Sequence, residues 1–133
     1  MPVYQNAEVL YTCLQATFDR IQDESPEAIT DLIIARLALR FKCSQPVAEI
    51  LLSGRQATFQ AEYGPSALRP DLDITLTGDT LHQILNDSLS MKKALGSGLL
   101  KVRGPAWKLK PLAGLIQAGR LYYPETARTY NVI

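Results

Sequence analysis

An alternating segment at residues 35–42 constrains the fold of this chain more than any other feature of its sequence. Apolar side chains occupy every second position, and most positions between them are cationic. The apolar residues are Ala35, Leu37, Leu39 and Phe41, and the cationic ones are Arg36, Arg40 and Lys42. Because successive side chains of a β-strand point to opposite faces, the pattern predicts a strand in a sheet with one buried and one solvated face.

The segments that follow predict more strands joined by short connections. Residues 47–52 and 56–63 are strand-like and flank a turn at Ser53-Gly54, so they extend the first strand into an antiparallel meander. Two later segments, 71–77 and 99–103, also alternate between apolar and polar side chains. Together these segments predict a sheet of five strands.

Apolar residues at spacings of three and four predict helices before, between and after the strands. The predicted helices cover residues 5–22, a short turn ending at Asp31, 80–87, a turn at 91–95 capped by Ser90, and 105–118. Pro111 lacks a backbone donor and is expected to kink the last helix, and Gly119 is expected to end it. The remaining tail, residues 119–133, is partly aromatic and apolar and is expected to pack onto the body.

Length and composition predict one soluble domain spanning residues 1–133. The chain has 133 residues, of which 47% are hydrophobic and 20% charged. Its apolar runs are shorter than the roughly 18 residues of a membrane span, and we expect neither a secretory signal nor, from Asn131-Val132-Ile133, a peroxisomal one. Cys13 and Cys43 are isolated and are expected to be free thiols, so the expected compartment is the cytoplasm.

The sequence provides no convincing catalytic or metal-binding motif. His82 is the single histidine and lies beside the apolar stripe of its helix, where a surface position is expected. Asp71 and Asp73 share one face of a strand and could bind a metal or transfer protons, but a solvated face is the favoured interpretation. Gly96-Ser97-Gly98 lacks the third glycine and the following helix of a dinucleotide-binding loop. We therefore expect no catalytic residue, metal or cofactor.

The net charge of +1 conceals a strong asymmetry along the chain. Between residues 88 and 124 there are seven basic residues and no acidic one. The basic residues are Lys92, Lys93, Lys101, Arg103, Lys108, Lys110 and Arg120. Such a bias can mark a surface for an anionic partner, and it is equally compatible with an ordinary solvated face. Nucleic acid is not the expected partner, because the basic strand carries no interleaved aromatic residues.

Residues 70–117 resemble the sterol carrier protein type 2 lipid-binding domain. The similarity comprises the strand Asp71-Leu72-Asp73-Ile74-Thr75-Leu76, a helix with Leu81, Ile84 and Leu85, and the strand Gly98-Leu99-Leu100-Lys101-Val102-Arg103-Gly104. With the upstream helix and meander, it extends over roughly residues 5–118. Leu81 replaces an aromatic residue of the family, and Trp107 and Pro111 depart from the family's final helix.

The resemblance implies an α+β fold in which helices cover one face of a five-stranded, mostly antiparallel, curved sheet and enclose an apolar cavity. It implies that the cavity holds a fatty acid, a fatty-acyl ester or a sterol-like lipid. The residues then expected to contact the ligand are Phe59, Ile84, Leu85, Leu89, Leu95, Leu100, Val102, Trp107, Leu112, Leu115 and Ile116. Periodicity alone does not distinguish such a cavity from a filled core.

Two functions follow from the resemblance. The first is non-catalytic binding of a lipid, with or without its transfer. The second is an accessory module that presents a lipid-soluble substrate, such as a quinone precursor, to partner enzymes. A thioester hydrolase using His82, Asp71 or Asp73 is a less favoured third. Docking to an anionic membrane is expected through Lys92, Lys93, Lys101, Arg103, Lys108 and Lys110, and a homodimer could form through the tail.

Overall fold

A computed structural model describes residues 2–130 and 132; the terminal positions 131 and 133, on which part of the targeting argument rests, lie outside the described residues. The strands are β1 (Ala38–Ser44), β2 (Ala48–Ser53), β3 (Gln60–Tyr63), β4 (Leu72–Thr77) and β5 (Lys101–Arg103). The helices are α1 (Ala7–Glu24), α2 (Glu27–Ile34), α3 (Gly78–Leu85), α4 (Met91–Ser97) and α5 (Leu109–Thr129), with a 3₁₀ turn at Ala106–Lys108.

The five strands form one mixed sheet in the order β3-β2-β1-β4-β5. Three neighbouring pairs are antiparallel, and β1 pairs with β4 in parallel. In this register Phe41 lies between Ile50 of β2 and Ile74 of β4. The predicted fold class, an α+β protein with a mostly antiparallel five-stranded sheet, is therefore confirmed.

Alternation along β1 places its apolar side chains in the core. Leu39, Phe41 and Cys43 are buried, whereas Arg40 is half-buried and Lys42 is exposed. The same alternation continues on β4, whereas β2 is buried from Ile50 to Ser53. The side chains in register with Phe41, Ile50 on β2 and Ile74 on β4, are apolar and buried. Helices α1, α3 and α5 contribute their own buried stripes to the same core.

The predicted start of the first strand at Ala35 is wrong. Helix α2 continues to Ile34, well past the predicted end at Asp31, and Ala35 is its exposed C-cap. Arg36 then has a left-handed backbone with φ of 54°, which is incompatible with a continuous strand. The first residues of the alternating pattern therefore belong to a turn, and β1 begins at Ala38.

Two other strands are shorter than predicted because left-handed residues precede them. Ala57 has a φ of 64°, so the chain is still in a loop where the third strand was expected, and β3 begins at Gln60. Gly98, with a φ of 80°, is the C-cap of α4. As a result β5 begins at Lys101 rather than at Leu99.

Side chains cap the two short helices that follow β4. Thr77 accepts a hydrogen bond from the Thr80 amide at 3.1 Å, so α3 begins two residues earlier than expected. Ser90 accepts one from the Lys93 amide at 3.1 Å, and α4 begins at Met91 as predicted. Such caps satisfy amides that have no partner within the helix.

The predicted end of the last helix at Gly119 is wrong, because α5 runs unbroken to Thr129. Pro111 is the third residue of α5, where its missing amide donor would have had no helical partner. Gly119 is an interior position at which α5 approaches α3 closely, since a Cβ there would lie 2.9 Å from Leu85 Cδ2. The segment expected to be a tail is thus helical to Thr129 and packs against α1 and α2.

We expect Leu39→Ala to lower the free energy of unfolding by about 2–5 kcal/mol, because it opens a cavity at a fully buried position of the central strand. Leu121→Ala is the matched control, since Leu121 is 70% exposed on α5, and it should change stability by less than about 0.5 kcal/mol. Urea denaturation measures both. Equal losses in the two variants would contradict the assigned burial.

Candidate functional site

An apolar layer between the sheet and the helices contains two small voids, each of about 10 Å³. The first void is lined by Leu14, Phe18, Phe41, Leu52, Leu81, Leu85, Leu115 and Ile116. The second is lined by Phe41, Ile74, Leu76, Leu81, Ile84, Met91, Leu100, Leu112 and Ile116. Every lining side chain is apolar. We call this layer, with its two voids, the apolar seam.

The structure brings together the expected ligand contacts on α3, on α5 and before β5. Ile84, Leu85, Leu100, Leu112, Leu115 and Ile116 line one or both voids. Five of them belong to the buried stripes of α3 and α5, and Leu100 immediately precedes β5. These positions therefore form the candidate binding site.

The other expected contacts lie away from the voids. Phe59, Leu89 and Val102 are half-buried at the edge of the core. Leu95 is 38% exposed and Trp107 is 70% exposed. Trp107 lies in the 3₁₀ turn before α5, with Lys108 Nζ 5.3 Å from the centre of its ring. Its indole therefore does not line the seam in this conformation.

The seam is nearly filled by protein side chains. A void of about 10 Å³ has room for roughly one water molecule, whereas small-molecule sites usually occupy about 300–1,000 Å³. Phe41, Leu81 and Ile116 line both voids and therefore stand between them. A cavity large enough for a ligand therefore remains a prediction, and it requires a conformation in which these three side chains have moved.

Sequence analysis did not assign Leu14, Phe18 and Phe41 to the site, although all three line the first void. Leu14 and Phe18 belong to the apolar stripe of α1, and Phe41 to the alternating strand β1. The stripe and the alternation identified these residues as core. The packing of α1 against α5 places Leu14 and Phe18 in the same layer as the α3 and α5 residues.

The expected surface position of His82 is wrong. His82 is 8% exposed, and its Nδ1 lies 2.6 Å from the Tyr123 hydroxyl. That hydroxyl also hydrogen-bonds the hydroxyl of Tyr4, and both tyrosines are fully buried. Continuation of α5 beyond Gly119 is the reason, because it carries Tyr123 onto α3. Burial lowers the pKa of His82, and the nearby Asp79 partly opposes that shift.

Both thiols are free, as the sequence predicts, and the structure shows that both are buried. Burial raises the pKa of Cys13 to about 12, with a smaller opposing effect of a hydrogen bond with Tyr123. Burial also raises the pKa of Cys43 to about 12. Neither cysteine therefore presents an accessible thiolate at neutral pH.

Asp71 and Asp73 lie in a network of ion pairs rather than in a carboxylate pair. Asp73 accepts from Arg40 Nη2 at 2.5 Å, and this bond lowers its pKa. Asp71 accepts from the Ala38 amide at 2.8 Å, and from Arg55 at 2.8 Å and Lys108 at 3.1 Å. Burial raises the pKa of Asp71, but these hydrogen bonds lower it overall. Asp73 alternates with inward residues of β4, so it lies on the sheet face opposite the helices.

The basic residues expected to dock to a membrane separate into two sets. Lys108 pairs with Asp71 and is directed toward it, and Arg103 is beside Asp73 in the register of β4 and β5. Lys92, Lys93, Lys101 and Lys110 form the second set and, like Arg103, are exposed. Among the described residues, no metal-binding cluster is present, and no helix combines the length and hydropathy needed to cross a bilayer.

Comparison with solved structures shows a sterol carrier protein 2-like fold. The sterol carrier protein domain 2 of Helicoverpa armigera superposes with a TM-score of 0.68 at 14% identity, covering 84% of this chain and 88% of that one. Palmitated SCP2L2 of Aedes aegypti gives 0.60 at 19% identity, covering 79% and 91%. The ubiquinone synthesis protein UbiJ-SCP2 gives 0.52 at 17% identity, covering 74% and 78%. No family model matches the sequence, and no curated protein does so.

We expect stability to fall between pH 7 and pH 5 because of His82. Its pKa in the unfolded chain is about 6.5 and is lower in the folded protein. As pH falls, His82 therefore takes up its proton in the unfolded chain before it does so in the folded protein. The contribution of neutral His82 to the free energy of unfolding is complete above about pH 6.5, and it is lost as pH falls toward the pKa of His82 in the folded protein. The pKa values of Asp71 and Asp73 are lowered from 3.8, so protonation of these carboxylates affects stability only below the pH range in which His82 titrates.

Thermal melts of the wild type and His82→Gln at several pH values measure this effect. The variant should be less stable at pH 7, because Tyr123 loses its ring partner, but its melting temperature should be nearly constant from pH 7 to pH 5. His82 is the single histidine of the chain, so a slope that is unchanged in the variant would contradict the assignment.

Proposed function

We propose that this protein binds a lipid with an alkyl chain in the apolar seam and performs no covalent chemistry on it. The observation that carries the proposal is a sterol carrier protein 2-like fold whose sheet and helices meet at a layer lined only by apolar side chains. Each methylene transferred from water into such a layer contributes about 0.8 kcal/mol. Burial of an alkyl chain of ordinary fatty-acid length can therefore offset the free-energy cost of moving the side chains that close the seam.

Opening the seam requires movement of a few side chains. Rotation of Phe41, Leu81 and Ile116 would merge the two voids, because these residues separate them. Met91 lines the second void, and its flexible thioether side chain adapts easily to a new shape. Because the seam has no polar lining, we propose that the polar head of the ligand stays outside it.

The bound lipid is proposed to be a fatty acid, a fatty-acyl ester or a sterol-like molecule. One structural neighbour is described as palmitated, which supports the first of these. Another neighbour is described as a ubiquinone synthesis protein. It supports the alternative function, in which the seam presents a lipid-soluble quinone precursor to partner enzymes. The remaining expected ligand contacts stay predictions for a conformation in which the seam is open; they are Phe59, Leu89, Leu95, Val102 and Trp107.

The positions of the titratable groups support a non-catalytic role. A hydrolase would need His82 close to Asp71 or Asp73. His82 is buried in the helical layer against Tyr123, whereas Asp73 is paired with Arg40 on the opposite face of the sheet. These groups therefore cannot act together on one substrate.

Leu115→Trp should weaken fatty-acid binding at least tenfold, because the larger ring fills the first void. Overpacking costs about 1–3 kcal/mol, so the variant should still fold. Leu121→Trp is the matched control: it makes the same change on the same helix, at a position that is 70% exposed. Displacement of a fluorescent fatty acid measures affinity, and a polyprenyl phenol as competitor tests the alternative ligand class.

Saturable binding in the micromolar range by the wild type and Leu121→Trp, and its loss in Leu115→Trp, would support the proposal. Absent or non-saturable binding by the wild type would overturn it. If Leu115→Trp and Leu121→Trp weakened fatty-acid binding equally, the ligand would bind outside the seam.

We further propose that the protein meets anionic membranes through a basic corner, defined as residues 91–101. Leu95 and Leu99 are 38% and 47% exposed there, on either side of the turn that ends α4. Lys92, Lys93 and Lys101 are exposed in the same short segment. Basic residues near an anionic surface contribute about 1 kcal/mol each, and the exposed leucines add apolar contact. Lys110 stays a predicted contributor, whereas Lys108 is already paired with Asp71.

Lys92→Gln/Lys93→Gln should slow lipid transfer from anionic vesicles severalfold while leaving fatty-acid affinity unchanged. Removing these charges weakens attraction to the vesicle without altering the seam. Arg36→Gln/Lys42→Gln is the matched control, since it removes two exposed positive charges elsewhere. Transfer between labelled vesicles at low and high salt is the measurement. Equal rates for both double variants would rule out a specific role for the basic corner.

Two further expectations stay proposals. A homodimer through residues 119–133 would have to use the exposed side chains of that segment, of which Leu121 and Tyr130 are apolar and exposed. The free state of both cysteines is compatible with a reducing cytoplasm, which is the compartment we propose.

A further inference from the structure

A second concave region lies on the side of the sheet that faces away from the helices. It is a polar groove of about 460 Å³ between β1, β4, β5 and the loop that precedes β4. Its lining residues are Arg40, Arg69, Pro70, Asp71, Asp73, Arg103 and Gly104. We call it the outer groove. It shares no lining residue with either void of the apolar seam.

The two carboxylates of the outer groove are already occupied by donors. Both oxygens of Asp73 accept from Arg40, at 3.2 Å and 2.5 Å. One oxygen of Asp71 accepts from the Ala38 amide and Arg55, and the other accepts from Lys108. Little acceptor capacity is therefore left for another cation.

Two arginines of the outer groove have no such partner among the described residues. Arg69 and Arg103 are exposed, and neither forms an ion pair within 4.0 Å in the described part of the chain. Arg103 lies beside Asp73 in the strand register, but Arg40 holds that carboxylate. The groove thus has two guanidinium groups with unused donors.

The surroundings keep the groove positive. The cationic groups in or bordering it are Arg40, Arg55, Arg69, Arg103 and Lys108, and the anionic ones are Asp71, Asp73 and Glu49, the last of these 3.9 Å from Arg40. Cations therefore exceed carboxylates by two. Water-exposed arginine in a concave, net positive site favours an anion that can accept several hydrogen bonds.

The backbone beneath the groove is shaped by a glycine. Gly104 has a φ of 138°, and a Cβ at this position would lie 2.6 Å from both the Asp71 carbonyl oxygen and Leu72 Cδ2. Only glycine allows β5 to leave the sheet this close to the start of β4. This close approach sets Arg103 and the Arg69 loop around one concavity.

We propose that the outer groove is a phosphate-binding site in which Arg69 and Arg103 bind the phosphate oxygens. Guanidinium groups donate paired hydrogen bonds that match the geometry of phosphate oxygens. Arg40 and Lys108 are held by the aspartates and contribute charge without contacting the phosphate. The groove has room for a diphosphate or the headgroup of a phospholipid, and its ligand is either a water-soluble phosphate compound or a membrane lipid.

Titration with inorganic pyrophosphate at low salt, followed by calorimetry and by the Nε–Hε NMR signals of arginine, tests the proposal. We expect saturable binding with a millimolar or tighter dissociation constant and shifts of two arginine signals. Arg69→Ala/Arg103→Ala should weaken binding at least tenfold. Arg103→Lys, which keeps the charge but loses the planar fork, should weaken it about threefold or more.

Lys42→Ala is the matched control, because Lys42 is a cation on the same sheet face but does not line the groove. Its affinity for pyrophosphate should equal that of the wild type. No binding by the wild type to either pyrophosphate or phosphatidate vesicles, or equal weakening by Lys42→Ala and the double variant, would overturn the proposal.

Two arms of the experiment separate the sources of phosphate. Pyrophosphate binding without retention on phosphatidate vesicles identifies a soluble ligand, and arginine-dependent retention on those vesicles identifies a lipid headgroup. Fatty-acid displacement by the same variants should be unchanged, since the groove and the seam lie on opposite faces of the sheet. Failure at the groove is therefore distinguishable from failure of lipid binding.

Discussion

Burial of one face of β1 is the constraint on which the rest of this structure depends. β1 is the central strand, and its inward side chains lie against both neighbouring strands and the helical layer. Covering them requires helices from both ends of the chain, which is why α1 and α5 pack together over the sheet. The opposite face, carrying Arg40 and Lys42, is left to solvent. The apolar seam and the outer groove are therefore two consequences of one alternating segment.

The packing that stabilises the fold also restricts the site. Side chains fill the seam down to two voids of about 10 Å³, and protein interiors resist both empty space and excess volume. In the proposed function, an incoming alkyl chain would have to displace Phe41, Leu81 and Ile116 from contacts that they already make. Its affinity would then depend on the difference between two well-packed states. The ligand-sized cavity implied by the family resemblance is not visible as open space in this conformation.

Local patterns predicted the elements better than their junctions. Alternation located the strands and Ser90 located the start of α4, because both depend on neighbouring residues. The start of β1 and the end of α5 were mispredicted because the structural roles of Arg36, Pro111 and Gly119 depend on the residues packed around them. Arg36 has a left-handed backbone, Pro111 lies in the first turn of α5, and Gly119 lies in its interior. Glycine commonly ends helices, but at position 119 it allows close contact with α3. The same error concealed the burial of His82 against Tyr123.

The sequence by itself determined the one-sided sheet, the apolar stripes of its helices, the free cysteines and the separation of basic charge along the chain. These follow from side-chain period and composition, which are local properties. Only the tertiary structure decided that Leu14 and Phe18 share a layer with Leu115. It also decided that Asp71 and Asp73 are paired with cations, whereas Arg69 and Arg103 have no ion-pair partner within residues 2–130 and 132. The physical reason is that void volume and ion pairing depend on residues brought together from distant parts of the chain, and periodicity carries no information about such distances.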